Sequence, residues 1–326
     1  MLFRNRRTGY ELDIEFRPFR PGDEAGFREC IEDFYGEGYP YKEYFEPGYL
    51  AEKCARGAML VLCGVTSGGE IVNTCAIRYD GEFPGSGLML LRVVKDKCRG
   101  MGIGREQERV QLEYAARRKS VSLYADVMTH DCVSQHGLAT NGFILTGLRP
   151  VLYKASVMVP DMAWPEGARL SQAVMCRRGA MEDAGEIYCP AEHRAVAEEI
   201  YARLGVGVCL RDCAGRLPER AVIHEESDPE HDNRVWLIER AGEDLLRRLD
   251  GVRESAFLCY LNLRSDGADG AYRALVERGF RFAGLKPLNE NGEYLLMASG
   301  ALKDSWTETL CIDEPGQWLI EYIMRG

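Results

Sequence analysis

Apolar and polar residues follow one another along the first half of the chain in short runs that predict strands separated by helices. Alternating or continuous apolar runs predict strands at 13–18, 58–65, 71–79, 87–94, 121–128 and 143–153. Runs with helical spacing predict helices at 21–36, 103–118 and 134–143. This order predicts a mixed fold of strands and helices.

A segment rich in Pro, Met and Trp, VPDMAWPEG at 159–167, interrupts these patterns. Its composition is typical of a domain boundary, so we expect one domain over 1–160 and a second over 168–326. The second half contains predicted helices at 191–205 and 270–280 and predicted strands at 255–263, 280–287 and 293–299.

An internal repeat links the two halves. The sequences NGFILTGLRP at 141–150 and RGFRFAGLKP at 278–287 can be laid over each other, and each follows a predicted helix. The sequence therefore predicts that one helix–strand unit occurs twice.

Composition and charge narrow the classes of partner. The chain has 326 residues, 12 cysteines and a net charge of −10. That length suggests two domains, and the acidic charge argues against a nucleic-acid partner. No apolar run approaches the ~20 residues that span a bilayer, so we expect no membrane partner and a cytoplasmic protein. The scattered cysteines, without any CxxC, predict reduced and mostly buried thiols.

The segment that carries chemistry lies between the predicted strand 87–94 and the predicted helix 103–118. Glycines at 100, 102 and 104 let the chain turn tightly and bring several backbone N–H groups towards one point. The helix that begins there adds its unpaired amides and the positive end of its dipole. With Arg99 and Arg105 on either side, the turn suits a pyrophosphate.

Other interpretations of the glycines remain. A Walker A loop requires Gly-Lys-Ser/Thr, whereas Gly104 is followed by Arg105 and Glu106. A dinucleotide fingerprint requires a third glycine at 105, although Asp126 after the next strand is a partial match. A glycine-rich turn without any ligand is the remaining alternative.

These segments resemble the GNAT family of N-acetyltransferases. Arg99-Gly-Met-Gly102-Ile-Gly104 is similar to the family's R/Q-x-x-G-x-G/A loop, which lies between the fourth strand and a long helix. Ser134-Gln135 through Asn141-Gly142-Phe143 resembles its second cofactor segment, and FRPFRPGDEAGF its first strand and helix. The resemblance covers roughly residues 12–155.

The resemblance implies a fold and a cofactor. The fold is of the α/β (α+β) class, with a mixed, mostly antiparallel sheet splayed between the fourth and fifth strands, and the second half is a degenerate GNAT-like domain. Acetyl-CoA is the implied cosubstrate, without a metal ion. The implied cofactor-binding residues are Val93, Val94, Arg99, Gly100, Met101, Gly102, Ile103, Gly104, Arg105 and Ser134.

Candidate catalytic residues are assigned from their positions relative to the family's motifs. Many family members have a tyrosine four residues before the Gly of Gly-Phe, where this chain has Leu138. Asp126 in the fifth strand is the candidate general base, and an ion pair with Arg92 is the alternative interpretation of this carboxylate.

For the acceptor site, Arg92, Tyr35 and Tyr39 are the candidate substrate residues, although a packed aromatic cluster also explains the tyrosines. His130, Cys132 and His136 lack a convincing fourth ligand for a metal.

The sequence thus predicts an acetyl-CoA-dependent N-acyltransferase. It would transfer an acetyl group directly, in a ternary complex, to an amine of a small molecule or peptide. A non-catalytic acyl-CoA sensor or partner-binding regulatory module is the alternative, and a homodimer is compatible with either function.

Overall fold

A computed structural model describes residues 1–5, 7–36, 39, 41–159, 162–212, 215–307 and 309–325. The chain divides into two compact units, Met1–Leu123 and Tyr124–Gly326. We call them the N-terminal and the C-terminal unit and describe each by itself. The domain limits at 160 and 168 stay a sequence-based prediction.

The N-terminal unit contains five strands and three α-helices among its described residues. In chain order they are β1 (Leu2–Arg4), β2 (Glu11–Pro18), α1 (Glu24–Tyr35), α2 (Tyr49–Ala55), β3 (Met59–Thr66), β4 (Ile71–Arg78), β5 (Ser86–Val94) and α3 (Ile103–Arg118). Strand β6 (Ser122–Met128) contains the division between the units. The predicted strand at 87–94 and helix at 103–118 are confirmed.

Strands β1 to β5 form an antiparallel meander in chain order. Two apolar clusters form its core, because strand side chains point alternately to the two faces. The larger cluster includes Phe27 and Ile31 of α1 with Val61 and Val93 of the sheet. The smaller one contains Ile14, Val72, Cys98, Met101 and Ile103. The smaller cluster therefore joins the glycine turn and the start of α3 to the sheet.

The C-terminal unit continues from β6 with both helices and strands. In chain order they are α4 (Val133–Thr140), β7 (Ile144–Lys154), α5 (Ala155–Met158), β8 (Arg169–Arg178), β9 (Asp183–Tyr188), α6 (Arg194–Leu204), β10 (Gly207–Arg211), β11 (Val222–Asp228), β12 (Asn233–Arg240), α7 (Leu245–Leu249), β13 (Ala256–Asn262), α8 (Ala268–Glu277), β14 (Phe280–Asn289), β15 (Gly292–Ser299) and α9 (Gln317–Arg325). The strand order is β6-β8-β7-β14-β15-β13-β12-β11, and β9 pairs with β10.

The predicted helix–strand repeat is confirmed as α4–β7 and α8–β14. The two repeats meet where Gly147 of β7 pairs with Gly284 of β14. These glycines occupy equivalent positions of the two repeat sequences. A Cβ on Gly284, whose φ is +123°, would collide with the backbone of Gly147. Glycine is therefore required where the two repeats come together.

The expectation of reduced thiols is wrong for one pair of cysteines. Cys132 and Cys311, 179 residues apart, form a disulfide with a Cα–Cα distance of 5.9 Å, within the usual range for such bonds. The other described cysteines are free, and most of them are buried. Spacing along the chain gave no signal for this bond, because only the folded C-terminal unit brings the two residues together.

None of the helices in the described ranges combines the length and apolar content needed to cross a membrane.

Candidate active site

The turn between β5 and α3 is anchored by buried side chains and leaves its glycines on the surface. Cys98, Met101 and Ile103 point into the smaller apolar cluster. Gly100 and Gly102 are exposed and have φ values of +75° and +81°. This left-handed conformation favours glycine, and it lets apolar anchors alternate with exposed backbone.

The backbone N–H groups of residues 100–105 make no hydrogen bond to any described part of the protein. The first intrahelical bond of α3 is donated by Glu106 to Gly102 O, at 3.2 Å. Gly102 is the N-cap and supplies no side-chain acceptor. The orphan amides of the helix start, which a Ser or Asp cap normally satisfies, are thus left to another acceptor.

The turn also has room for a ligand. A Cβ on Gly100 or Gly102 would meet no atom within 4 Å. A Cβ on Gly104 would instead lie 3.3 Å from Val94 Cγ2, so this glycine lets α3 approach β5 closely. The first two glycines keep the surface open, and the third serves packing.

Two arginines bring positive charge to the turn in different ways. Arg99 lies over the Phe34 ring at 4.9 Å, forms an ion pair with Asp96 at 3.1 Å and donates from Nε to Val94 O. Arg105 is exposed and has no carboxylate within 4.0 Å in the described ranges. Arg105 is therefore the cation that an anion at the turn would meet without competition.

Strand β5 is irregular just before the turn. Leu91 has a φ of +56°, and the pairing of β4 with β5 shifts register between Thr74 and Ala76. Two buried β4 side chains hold this bulge: Thr74 Oγ1 donates to Leu91 O at 3.0 Å, and Asn73 Nδ2 donates to Val93 O at 2.7 Å. Bulges redirect backbone groups, and this one lies beside Val93 and Val94.

Arg92, at the centre of the bulge, forms an ion pair with Glu108 of α3 at 2.6 Å. The Glu108 side chain is 2% exposed and that of Arg92 is 22% exposed. This contact fixes α3 to β5, and a role for Arg92 towards a substrate stays a prediction.

The tyrosines of the first-helix region are packed together. The Tyr39 ring lies 5.0 Å from Tyr35, 5.7 Å from Tyr41 and 6.5 Å from Tyr44. Burial raises the pKa of Tyr39 far above its usual value and that of Tyr44 to about 12. Their hydroxyls therefore stay protonated at neutral pH. A role for Tyr35 or Tyr39 in substrate binding stays a prediction.

Asp126 of β6 lies among cations within the C-terminal unit. Its Oδ2 is 2.8 Å from Arg149 Nη1 and 3.5 Å from Lys286 Nζ. Burial acts to raise the pKa of this carboxyl, but Lys286 and Arg149 outweigh burial and hold the pKa below its usual value. Oδ1 is buried and has no hydrogen-bond partner among the described residues. The group is thus an ionised carboxylate paired with two cations.

Two further predicted positions lie on α4 of the same unit. Ser134 is exposed near the start of the helix, and Leu138 is fully buried. Cys132, just before α4, is in the disulfide with Cys311. The described residues contain no group of three or more His, Cys, Asp or Glu side chains placed to hold a metal ion.

The structure thus brings together Val93, Val94 and residues 99–105 in the N-terminal unit, with Arg92 beside them. Sequence reasoning did not identify Asn73 and Thr74, which hold β5, or Asp33, whose Oδ2 accepts the N–H of Asp96 at 2.7 Å. Asn73 and Thr74 did leave a signal, because they are polar residues inside the otherwise apolar strand IVNTCAIRY. Asp33 left none.

Comparisons with solved structures find similarity to GNAT acetyltransferases over about half of the chain. A GNAT-family acetyltransferase from Streptococcus pneumoniae is 17% identical over 50% of this chain and 98% of its own, with a TM-score of 0.42. A ribosomal-protein-alanine N-acetyltransferase from Brucella melitensis is 19% identical over 50% of this chain and 99% of its own, with a TM-score of 0.40.

A GNAT-superfamily phosphinothricin acetyltransferase from Sinorhizobium meliloti, solved in complex with acetyl-CoA, is 15% identical. It covers 51% of this chain and 88% of its own, with a TM-score of 0.38. No protein-family model matches the sequence, and no curated protein matches it.

Proposed function

We propose that the protein is an acetyl-CoA-dependent N-acyltransferase that transfers an acetyl group to an amine of a small molecule or peptide. The observation that carries this proposal is the turn between β5 and α3. There the N–H groups of 100–105 have no acceptor among the described residues, and a Cβ on Gly100 or Gly102 would meet no atom within 4 Å. Such a group of donors at a helix N-terminus suits a diphosphate.

The residues of the turn fit the charged part of acetyl-CoA. The amides of 100–105 would donate to the pyrophosphate, and Arg105 would add a positive charge that nothing in the described chain neutralises. Gly100 and Gly102 keep side chains out of that space. Val93 and Val94 would pair with the pantetheine arm through their backbone groups. Bound acetyl-CoA supplies an activated thioester.

Other groups of the chain would orient the acetyl carbonyl and deprotonate the acceptor amine. Thr74 and Asn73 hold the carbonyls of Leu91 and Val93, and this fixes the β5 amides that would polarise the acetyl carbonyl. The amine nitrogen would bond to the carbonyl carbon as the carbon–sulfur bond breaks. Asp126 is the proposed base for the proton of the amine, and with Leu138 in place of tyrosine the thiolate would take its proton from solvent.

A binding and turnover experiment tests the proposal. Saturating acetyl-CoA should raise the melting temperature, because a ligand that binds only the folded state stabilises it. Release of free CoA should then be measured with a panel of amines, amino acids and peptides. Absence of any stabilisation by acetyl-CoA overturns the proposal. Binding without CoA release, across the whole panel, supports the sensor alternative instead.

The role of Asp126 can be tested with the variant Asp126→Asn. The proposal expects a rate loss of about 100-fold or more with unchanged acetyl-CoA affinity. Because Lys286 and Arg149 hold the pKa of Asp126 below its usual value, the carboxylate is ionised throughout the neutral range. The wild-type rate should therefore rise with pH only as the acceptor amine loses its proton. An unchanged rate in Asp126→Asn would remove Asp126 from the mechanism.

A further inference from the structure

Two cations face each other on neighbouring strands of the C-terminal unit. Lys154 at the end of β7 is directly opposite Arg169 at the start of β8 in the antiparallel register. Side chains directly opposite in such a pair lie on the same face, and like charges there destabilise the sheet. An uncompensated pair of this kind needs a physical reason.

No carboxylate within the described chain compensates the pair. In the part of the chain that the structure describes, neither Lys154 nor Arg169 has an acidic partner within 4.0 Å. Arg169 is 8% exposed, and its Nε and Nη2 donate to the carbonyls of Val151, Leu152 and His231. These bonds leave Nη1 without an acceptor among the described residues, and neutral carbonyls do not cancel the charge of a buried guanidinium.

Glu166 lines the same cavity but forms no ion pair with either cation among the described residues, and the other titratable groups around the pair do not supply the missing charge. The charge of Asp232 acts on Arg169, but this carboxylate accepts hydrogen bonds from Ser255. His231 accepts the Lys154 N–H through Nδ1 at 3.1 Å, and burial lowers its pKa, so this imidazole is neutral. The charges of Asp228 and Glu230 act on His231, and Asp228 Oδ2 lies 3.9 Å from its Nε2.

Both cations line one cavity of about 550 Å³. The other described residues that line it are Ser156, Met162, Trp164, Pro165, Glu166, Gly167 and Ala168. Trp164 is held in place by donation from Nε1 to Val159 O at 2.9 Å. The volume lies within the range of small-molecule sites, which combine apolar walls with a few polar groups.

We propose that this cavity binds a small carboxylate with an apolar body, and that the ligand carboxylate lies between Lys154 and Arg169. Arg169 has one Nη group left and Lys154 offers a point charge, which suits a single carboxylate. Trp164, Met162 and Pro165 suit the apolar body. Glu166 at the exposed rim disfavours a dianion such as phosphate and would accept an α-ammonium group.

Calorimetric titrations with matched probes test the site. The probes are 3-phenylpropionate, its neutral amide, L-phenylalanine and inorganic phosphate. We expect saturable binding of 3-phenylpropionate, and no binding of the amide up to about 10 mM, a concentration that would reveal even a weak site. Tighter binding of L-phenylalanine would identify an amino acid as the ligand, and weaker binding would identify a simple carboxylate.

The variant Lys154→Gln tests separately the repulsion between Lys154 and Arg169 and the binding of the carboxylate ligand. It should weaken 3-phenylpropionate about 10-fold, because a charge-assisted contact is lost. Without ligand and at low salt it should melt about 1–3 °C above the wild type, because the like-charge contact is relieved. The matched control Lys303→Gln, outside the cavity lining, should change neither quantity.

Three results would overturn the proposal. They are absence of saturable binding by either carboxylate probe, an affinity that Lys154→Gln leaves unchanged, and phosphate binding as tight as that of 3-phenylpropionate. A fall in ligand-free melting temperature for Lys154→Gln would also remove its premise, since the two cations would then not repel each other.

Discussion

The turn after β5 and the turn after β12 each connect a strand to a helix. They differ in what occupies the space around them. In the N-terminal unit the amides of 100–105 have no acceptor among the described residues, and a Cβ on Gly100 or Gly102 would meet no atom within 4 Å. In the C-terminal unit the corresponding space is filled by the chain itself.

The turn after β12 is closed in two ways. A Cβ on Gly242 would collide with the backbone of Arg220 and Ala221, and Asp244 Oδ1 accepts the Ala221 N–H at 2.6 Å. The helix that follows, Leu245–Leu249, is short. Together these two contacts place neighbouring chain and a carboxylate where an anion would otherwise approach.

The two strands beside this turn, β12 and β13, also leave no gap for a ligand between them. β12 and β13 pair in parallel from Asn233↔Ala256 to Ile238↔Leu261. Beyond the last pair, Asn262 Nδ2 donates to Glu239 O and Ala241 N–H donates to Ser265 Oγ, each at 3.2 Å. Side chains thus satisfy the backbone groups that a ligand would need. The comparison teaches that the unsatisfied amides, and not the glycine alone, distinguish a candidate anion site.

The largest expected effect concerns the closed turn. Gly242→Ala should lower the free energy of unfolding by about 3 kcal/mol, because overpacking against backbone cannot be relieved by a side-chain rotation. Gly100→Ala is the matched change in the open turn and should cost only about 1 kcal/mol, from its positive φ. Urea denaturation measures both. Equal losses in the two variants would show that the turns do not differ in packing.

Gly102→Glu should weaken acetyl-CoA binding about 100-fold, or about 2.7 kcal/mol, because it places bulk and negative charge beside the open amides. Gly279→Glu is the control, since Gly279 has a φ of +82° and also meets no atom within 4 Å. Both variants carry the same backbone cost. Calorimetric titration should find unchanged affinity in Gly279→Glu; unchanged affinity in Gly102→Glu would make the assignment of the turn wrong.

Reduction of the disulfide should lower the stability of the C-terminal unit and leave that of the N-terminal unit unchanged. The disulfide Cys132–Cys311 belongs to the C-terminal unit, and the described cysteines of the N-terminal unit are free. Cys311→Ser should lower the stability of the C-terminal unit by about 2 kcal/mol, since the closed loop no longer restricts the unfolded chain. Denaturation of Cys311→Ser with and without dithiothreitol should give one curve, whereas the wild type should shift.

The smallest expected effect concerns Arg105. Arg105→Gln should weaken acetyl-CoA about 3-fold at low salt, because an exposed charge near a helix N-terminus contributes modestly. The loss should shrink as salt is added. Arg117→Gln, in the last turn of the same helix, is the control and should bind acetyl-CoA like the wild type. A 3-fold loss in both variants would indicate a general charge effect.

The sequence allowed the open turn to be predicted because its signals are local. Three alternating glycines after an apolar strand and before a helix lie within 13 residues, 93–105. The partners of Asp126 could not be predicted in this way, because Arg149 and Lys286 lie 23 and 160 positions away and reach it only through the sheet of the C-terminal unit. The ion pair of Arg92 with Glu108 likewise depends on how α3 packs on β5.

Several strands were missed for physical reasons. β12, NRVWLIER, begins and ends with polar residues, and β11, VIHEESD, is mostly polar because it lies at the edge of the sheet order. The bulge at Leu91 left no signal in the sequence. A leucine adopts a positive φ in a strand only where neighbouring residues hold it, and here the contact comes from Thr74 of β4. Such features require the folded neighbours.

The stoichiometry of acetyl-CoA binding tests the difference between the two turns most directly. One open and one closed turn predict a single molecule bound per chain in calorimetric titration, with affinity about 100-fold weaker in Gly102→Glu and unchanged in Gly279→Glu. Two molecules per chain would contradict the closed state of the turn after β12. No binding at all would contradict the open turn as a cofactor site.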